Sequence, residues 1–465
     1  MYDFLYSLNE TVSYINACLS DYVLVFLLCG AGIFYTLKTK FVQVRCFKEG
    51  ICSVFGGLLK KQKTNDGSIS SFQALATAVA AQIGTGNIVG ACSAILLGGP
   101  GAVFWMWIIS FFGMATSYAE GVLAVKTRNN AHRTVKQTFG PVSYISQAFK
   151  GKLGKALCIF FSFFAVIALG FTGSMVQSNA VSESFYSAFS VPFEITGVIL
   201  VVCVGAVMTG GTKRIANAAE KIVPLMALFF MAGSVAILFM YRERLPSVLL
   251  LIFKSAFSPQ SALGAASGIT IKDAVFYGAK RGLFSNEAGM GTAPHAHSMV
   301  SDKTPHQQGV VAMMGVFIDT IVLMTLTALS VIVVLYDENI TALGVSSTNM
   351  AQLAFSKAFG KGLGEMFVAL CMFFFAFTSI LGWSFFGRMN VYYLFGKRAD
   401  KVYTVIVLIF VFLGSVTGNA LVWNLTDFFN QLMVIPNVAA LLVLSKVVQN
   451  CYKDDKKNKK YFVNK

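Results

Sequence analysis

The stretch Ala78-Val79-Ala80-Ala81-Gln82-Ile83-Gly84-Thr85-Gly86-Asn87-Ile88-Val89-Gly90 lies in the middle of an apolar run over about 69–97. Its core, Gly84-Thr85-Gly86-Asn87, is a poor helix former in a segment otherwise built for one. In lipid such a break is costly, because freed N–H and C=O groups find no water, and it is tolerated where it lines a cavity. A second break, Ser285-Asn286-Glu287-Ala288-Gly289-Met290-Gly291, interrupts the run over 271–300. The two lie five spans apart, so their segments enter the membrane from opposite sides. That is the sequence trace of an inverted repeat whose discontinuous helices hold substrate and ions near the midplane. Half-helix N-termini suit an anionic carboxylate and unwound carbonyls suit a cation.

The rest of the chain fits this frame. Of 465 residues, 56% are hydrophobic and 12% charged, and the mean hydropathy is +0.67. Soluble domains carry about 25% charged residues. At roughly 20 apolar residues per crossing the chain has material for about eleven transmembrane helices. The runs fall at 20–37, 69–97, 101–125, 153–188, 193–209, 216–240, 271–300, 308–336, 362–387, 402–418 and 424–449. Segments 41–60 and 246–257 read as too short or too amphipathic to span and suit the interface. The expected fold is an all-α polytopic membrane protein forming one transporter domain over 1–465, with a charged cytoplasmic tail at 453–465. A soluble enzyme, a disordered chain and a disulfide-rich secreted domain are excluded by composition.

The net charge of +16 reflects loop cations. With the N-terminus outside and eleven alternating spans, 29 of the 37 Lys and Arg fall inside and 8 outside, as the positive-inside bias requires. No basic face interleaved with stacking aromatics points to nucleic acid. The nine cysteines are scattered, mostly within apolar runs and without a CxxC, so they read as buried free thiols. The first twenty residues do not read as a signal peptide. No nucleophile elbow, P-loop or paired-carboxylate motif is present, so no enzyme is expected.

Read by itself, Gly84-Thr85-Gly86-Asn87-Ile88-Val89-Gly90 is not a dinucleotide fingerprint, because the glycine spacing is off by one and no βαβ unit surrounds it. Gly86 and Gly90 also make a GxxxG packing face. The polar Asn87 and the second break favour a binding site over packing alone.

With Phe72-Gln73-Ala74-Leu75-Ala76-Thr77 before the first break, the chain resembles the alanine or glycine:cation symporters, that is, the sodium:alanine symporters. Further stretches carry the resemblance: Gly98-Gly99-Pro100-Gly101-Ala102-Val103-Phe104-Trp105-Met106-Trp107, Met175-Val176-Gln177-Ser178-Asn179 and Gly282-Leu283-Phe284-Ser285-Asn286-Glu287-Ala288-Gly289-Met290-Gly291-Thr292-Ala293-Pro294-His295. The resemblance runs from about residue 15 to 445. It implies the leucine-transporter (LeuT) fold in helices two to eleven and Na⁺-driven uptake of alanine, glycine and, in some members, D-alanine, serine or glutamine. It also implies a prokaryotic plasma membrane and no organic cofactor.

Carried over residue by residue, the resemblance makes the carbonyls of Ala80 and Ile83 ligands of Na⁺, completed by the hydroxyls of Thr378 and Ser379. Neutral oxygens suit a hard cation without placing a fixed anion in the bilayer. Thr378 and Ser379 also read as ordinary hydroxyls bonding back to their own helix. The backbone amides of Gly84, Thr85 and Gly86 would meet the substrate carboxylate, with Gln82 and Asn87 adding side-chain polarity. Trp383 lies four residues after Ser379 on one helical face and would cap a small pocket, the plainer reading being an interfacial anchor. Gln177 and Asn179 match a family motif, and a helix-to-helix hydrogen bond explains them nearly as well.

Intramembrane acids are functional suspects. Glu287, with Ser285 in the second break, would receive the substrate ammonium or order the unwound backbone. Asp319 and Asp427 read as gates or as satisfied structural residues, and Glu120 as the partner of Lys126 or a loop cation. His295, His297 and His306 do not form a zinc pattern, since i, i+2 spacing splits two of them across different helix faces and no Cys or acid cluster in the sequence joins them; a role at the cytoplasmic end is expected instead. Other readings stay open: a LeuT-fold symporter that is H⁺-coupled or takes another substrate, a membrane amino-acid sensor without turnover, and a channel. The oligomeric state is not legible.

Overall fold

The computed structural model describes all residues except 1, 20–24, 60–68, 132–138, 258–269, 302, 339–343, 418 and 464–465. Its elements are helices, and the one β-pairing among the described residues is an isolated bridge between Ile69 and Val300. Helix α1 (Tyr2–Leu19) leads to α2 (Val25–Lys38), the short α3 (Val42–Arg45) and α4 (Phe47–Leu59). The first broken segment follows: α5 (Ser71–Gln82), a π-helical turn over Gly86–Gly90, and α6 (Ala91–Gly98). Next come α7 (Gly101–Ala131), α8 (Pro141–Ala148), α9 (Gly151–Ala165) and α10 (Gly173–Phe189), the last two joined by a π turn over Val166–Thr172. Helices α11 (Phe193–Met208), α12 (Gly211–Met240) and α13 (Leu245–Phe257) precede the second broken segment, α14 (Ile271–Asn286) with the four-residue α15 (Pro294–His297). The chain continues as α16 (Pro305–Val316), a π turn over Phe317–Met324 and α17 (Thr325–Val334). It closes with α18 (Met350–Phe359), α19 (Leu363–Phe395), α20 (Asp400–Val416), α21 (Asn419–Val443) and α22 (Ser445–Val463).

Seven described helical segments are long and apolar enough to cross a membrane, and α5 with α6, bent by 53°, makes an eighth if taken as one span. Helices α2 and α11 are apolar but shorter, and residues 20–24 of the first expected span lie outside the described residues. Large apolar side chains such as Phe26, Phe163, Val202, Leu225, Phe239 and Val405 are exposed on the outer face, the surface a bilayer covers. The core instead buries small residues on α5, including Ala74, Ala76, Ala78, Ala80 and Ala81. Small side chains let helix backbones approach closely where lipid supplies no hydrophobic drive.

Local sequence explains where the key helices begin. Ser70 with Gln73, Thr270 with Asp273 and Thr304 with Gln307 each form a capping box at the start of α5, α14 and α16. The two broken segments run antiparallel. Ile69, at the start of the first, donates its amide to Met299 near the end of the second (3.4 Å). At the other end, a Cβ on Gly98 would lie 3.0 Å from the Asp273 carbonyl.

The second break differs from the expected helix on both sides of a gap. After Asn286 the backbone turns left-handed at Glu287 (φ 53), Gly289 (φ 85) and Gly291 (φ 82), and Pro294 starts only a four-residue turn of helix. Glycine takes such angles at little cost and proline fixes a fresh start, so the segment stays unwound. Of the segments expected to lie in the interface, 41–60 forms α3 and α4 as far as Leu59, its last residue lying outside the described residues, and 246–257 lies in α13. The charged run after Lys453 continues α22 as far as Val463.

Candidate functional site

At the first break the helical ladder opens. The amides of Gly84 and Thr85, which in a continuous helix would bond the carbonyls of Ala80 and Ala81, point elsewhere. Gly84 N donates to the Gln82 carbonyl (2.9 Å) and to Asn87 Oδ1 (3.1 Å), and Thr85 N donates to Gln177 Oε1 (3.1 Å). The carbonyl oxygens of Ala80, Ala81 and Ile83 gather instead around Ser379 Oγ on α19, at 3.0, 3.3 and 3.2 Å. A serine hydroxyl carries one proton, so it fully satisfies one of the three. The result is a buried, oxygen-rich, uncharged cluster. A Cβ on Gly84 would come within 2.5 Å of Ser379 Oγ and 3.1 Å of Gln177, so glycine is what lets α19 and α10 reach this backbone.

Thr378 is not brought to that cluster. Its hydroxyl donates to the Phe374 and Phe375 carbonyls, both at 3.0 Å, and faces Met226 Sδ at 3.2 Å. A helical threonine readily bonds back to its own preceding turn, and that geometry holds here.

The two breaks are tied to each other through Asp319, in the π turn after α16. Asn87 Nδ2 donates to Asp319 Oδ1 at 2.7 Å, Ser285 Oγ to Oδ2 at 3.0 Å and Thr320 Oγ1 to Oδ2 at 2.8 Å. Gln82 Nε2 adds a direct link, donating to the Asn286 carbonyl at 2.9 Å. Asn87, expected among the substrate contacts, is thus committed to the break itself, one end on Gly84 and the other on Asp319. The Gly84 and Thr85 amides, expected to face a carboxylate, are likewise taken by Gln82, Asn87 and Gln177. Asn179 of the same motif donates to the carbonyl of Thr417, just past the end of α20, at 2.8 Å.

Glu120 holds the second break. It is buried on α7, and its two oxygens accept from Gly289 N (3.1 Å), Gly291 N (3.0 Å) and Asn437 Nδ2 (2.8 Å). Asn437 Nδ2 also donates to the Gly289 carbonyl at 2.8 Å, and its Oδ1 accepts from Tyr144. The pairing with Lys126 expected from sequence is therefore replaced. Helix α7 runs on to Ala131, about 16 Å past Glu120 at 1.5 Å per residue, so Glu120 sits well inside the bundle rather than at its end.

Between the breaks lies a cavity. Gln82, Gly84, Thr85, Gly86, Gln177, Ser285, Glu287 and Trp383, all singled out from sequence, line it. So do Arg281, Phe284, Met290, Trp423, Thr426, Asp427 and Asn430, most of which sequence reasoning did not reach. Trp383 stands one turn beyond Ser379 on α19, and its Nε1 donates to Glu287 Oε1 at 2.6 Å. The second Glu287 oxygen is buried without a hydrogen bond of ordinary geometry, the Thr292 side chain beside it. The Thr85 hydroxyl is also buried and unbonded. The cavity therefore offers a neutral hydroxyl and an amide on the first-break side, a carboxylate on the second-break side, and aromatic walls. Gly90, Arg281, Trp423 and Asp427 line both this cavity and a wider vestibule that adds Ser93, Ser347 and Thr348.

Two of the histidines, His295 and His297, serve structure. His295 Nε2 lies 2.9 Å from Asn390 Nδ2 and its Nδ1 2.8 Å from the Thr292 carbonyl, with the ring stacked between Phe161 and Phe386. An imidazole accepting from Asn390 and donating to Thr292 is a neutral tautomer with both nitrogens satisfied. His297 Nδ1 meets Gln308 Nε2 at 2.6 Å.

Comparison with known proteins follows the same lines. The family model described as "Sodium:alanine symporter family" matches residues 5–464. The sodium/alanine symporter AgcS of Methanococcus maripaludis is 38% identical over 451 residues, covering 96% of each chain. The probable sodium/glutamine symporter GlnT of Bacillus subtilis is 37% identical over 458 residues, 97% of this chain and 92% of that one. Among solved structures, that of MhsT in complex with L-phenylalanine superposes with a TM-score of 0.56 at 13% identity, over 84% of this chain and 98% of the other. That likeness fixes the fold as the LeuT type. From break to break and from end to end, this chain belongs to the sodium:alanine symporter family.

Proposed function

We propose that the protein is a Na⁺-driven symporter that carries small neutral amino acids into the cell, alanine and glycine first, with D-alanine, serine and glutamine within its range. The observation that carries this reading is the cluster of Ala80, Ala81 and Ile83 carbonyls around Ser379 Oγ, next to Ala81 and Gly84 of the cavity lining. A hard cation of single charge suits neutral oxygens there. Na⁺ ligated by Ala80, Ile83 and Ser379 would draw α5, its break and α19 together, and so shape the cavity wall that Gly84 and Thr85 form. Thr378 would join only after its χ1 turns away from its own helix.

The substrate sits, in this account, with its ammonium toward Glu287 and its carboxylate toward Thr85 and Gln177. Trp383 and Phe284 limit the side chain to a small one. A zwitterion needs both poles met, and the cavity supplies a carboxylate and a hydroxyl–amide pair on opposite walls. Turnover follows by alternating access, one group of helices moving against the other around the fixed site. The vestibule shared through Arg281, Trp423 and Asp427 faces the side of Ser347 and Thr348, which the charge count places outside the cell. The same count supports an external N-terminus and an internal C-terminus, and bacterial and archaeal relatives support a prokaryotic plasma membrane.

Binding of labelled alanine to the purified chain, in Na⁺ and then in K⁺, tests the reading. Saturable binding in Na⁺ alone, displaced by glycine and serine but not by tryptophan, is expected. Binding of equal strength in K⁺, or none with any small amino acid, overturns it.

A further inference from the structure

Away from the cavity, three potential metal ligands meet where the α3–α4 junction, the start of α16 and α22 come together. Cys46 Sγ, a Glu49 carboxylate oxygen and a ring nitrogen of His306 all lie within 4.8 Å of one another. The Asp455 carboxylate on α22 stands 3.6 Å from His306 Nε2, and Glu49 Oε2 stands 3.7 Å from the same atom. His306 and Cys46 are buried, whereas the Glu49 side chain keeps 27% of its surface exposed. The cluster is therefore closed on the bundle side and open to an ion from solution.

We propose that this cluster is a site for a divalent transition-metal ion, zinc by preference, held by Cys46 Sγ, a Glu49 oxygen and His306 Nε2, with Asp455 as the fourth ligand. Three features argue for an ion rather than a simple ion pair. First, the 3.6 and 3.7 Å separations exceed the ordinary hydrogen-bond range of about 2.7–3.2 Å. They fall within the roughly 3.3–3.8 Å between neighbouring ligand atoms of a tetrahedral zinc with bonds of about 2.0–2.3 Å. Second, Nε2 has at most one proton to give, yet two carboxylates and a thiol face it. A cation between them meets all of these groups together. Third, the other ring nitrogen, Nδ1, is engaged with the Tyr118 hydroxyl at 2.7 Å. Such an outer hydrogen bond is the usual means of fixing which imidazole nitrogen faces a metal. A mixed thiolate, imidazole and carboxylate set suits zinc over the all-oxygen choices of calcium or magnesium. Because the ligands come from the α3–α4 junction, α16 and α22, a bound ion would pin the C-terminal helix to the bundle. The site is independent of the transport reading.

The test uses the full-length chain, purified in detergent and stripped with a chelator. Titration with Zn²⁺ against a chromophoric chelator should show one ion bound per chain. Co²⁺ in its place should give a thiolate-to-cobalt charge-transfer band. Cys46→Ser should abolish that band, and both Cys46→Ser and Glu49→Gln should weaken Zn²⁺ binding by tenfold or more. Failure of the native chain to bind stoichiometric Zn²⁺ overturns the proposal. So does a cobalt band that survives Cys46→Ser, or binding weakened less than tenfold in either variant.

Discussion

Asn87 and Asp319 are joined by a hydrogen bond of 2.7 Å from Nδ2 to Oδ1, and through it the first break is anchored to the second. Asn87 also accepts the Gly84 amide, while Asp319 also accepts from Ser285. One buried carboxylate thus ties the first break to the last turn of α14, where the second break begins. Its charge is spread over three side-chain donors, which offsets part of the cost of keeping an anion away from water.

Asp319→Ala should therefore destabilise the protein more than a cavity of that size alone. It leaves Asn87 and Ser285 without their acceptor, at about 1–3 kcal/mol for each buried group left unsatisfied. Thermal unfolding in detergent should shift to lower temperature, and uptake should be lost. Asp319→Asn, which keeps the shape and one acceptor oxygen, should fall between. A native unfolding temperature for Asp319→Ala would show that the two breaks hold their shape without this carboxylate.

Ser379→Ala and Thr378→Ala separate the two hydroxyls expected at the ion. Removing Ser379 Oγ takes away the oxygen around which three carbonyls gather, and the Na⁺ concentration for half-maximal uptake should rise about tenfold or more. Thr378→Ala removes a hydroxyl bonded to its own helix and should raise it by less than about threefold. The reverse order would mean that Thr378 rotates into the site when Na⁺ binds and contributes more than Ser379.

Trp383→Ala should widen the cavity and free Glu287 from its 2.6 Å partner. Leucine and phenylalanine should then compete with labelled alanine. Trp383→Phe should keep the size limit and lose affinity only, because the ring remains and the N–H does not. An unchanged competition profile for Trp383→Ala would remove this residue from the pocket wall.

Glu120→Gln replaces one acceptor oxygen of a carboxylate that takes Gly289 N, Gly291 N and Asn437 Nδ2. A glutamine NH₂ facing either amide puts donor against donor. A loss of about 1–3 kcal/mol is expected, read as a lower unfolding temperature, with uptake impaired even where the fold survives. Lys126→Ala, aimed at the partner expected from sequence, should leave both unchanged.

What could be read from the sequence was mostly pattern. Apolar runs marked most of the long helices but not α1, α8 or α18, and two glycine-rich interruptions marked where the chain unwinds. The residues flanking the first of them, from Ala80 to Thr85, lie at the oxygen cluster and the cavity. What escaped depends on how side chains meet across the bundle. Glu120 looked like a helix-end acid because Lys126 follows six residues later. Only the true length of α7 and the positive-φ amides of Gly289 and Gly291 give it its role. The Gly84 and Thr85 amides looked free because a break frees amides, and no spacing rule indicates that Asn87 and Gln177 return to claim them. Thr378 and Ser379 are adjacent, so a helix points them about 100° apart, and sequence alone does not say which faces α5. The cavity wall from α21, with Trp423, Thr426 and Asn430, carried no motif.

The most direct measurement is accumulation of labelled alanine in proteoliposomes under an inward Na⁺ gradient, with native chain and Ser379→Ala side by side. The native chain should concentrate alanine above the external level with Na⁺ and not with K⁺, and Ser379→Ala should do so only at about tenfold or more higher Na⁺. Equal accumulation in K⁺ would contradict Na⁺ coupling and move attention to proton coupling through Glu287, Asp319 and Asp427.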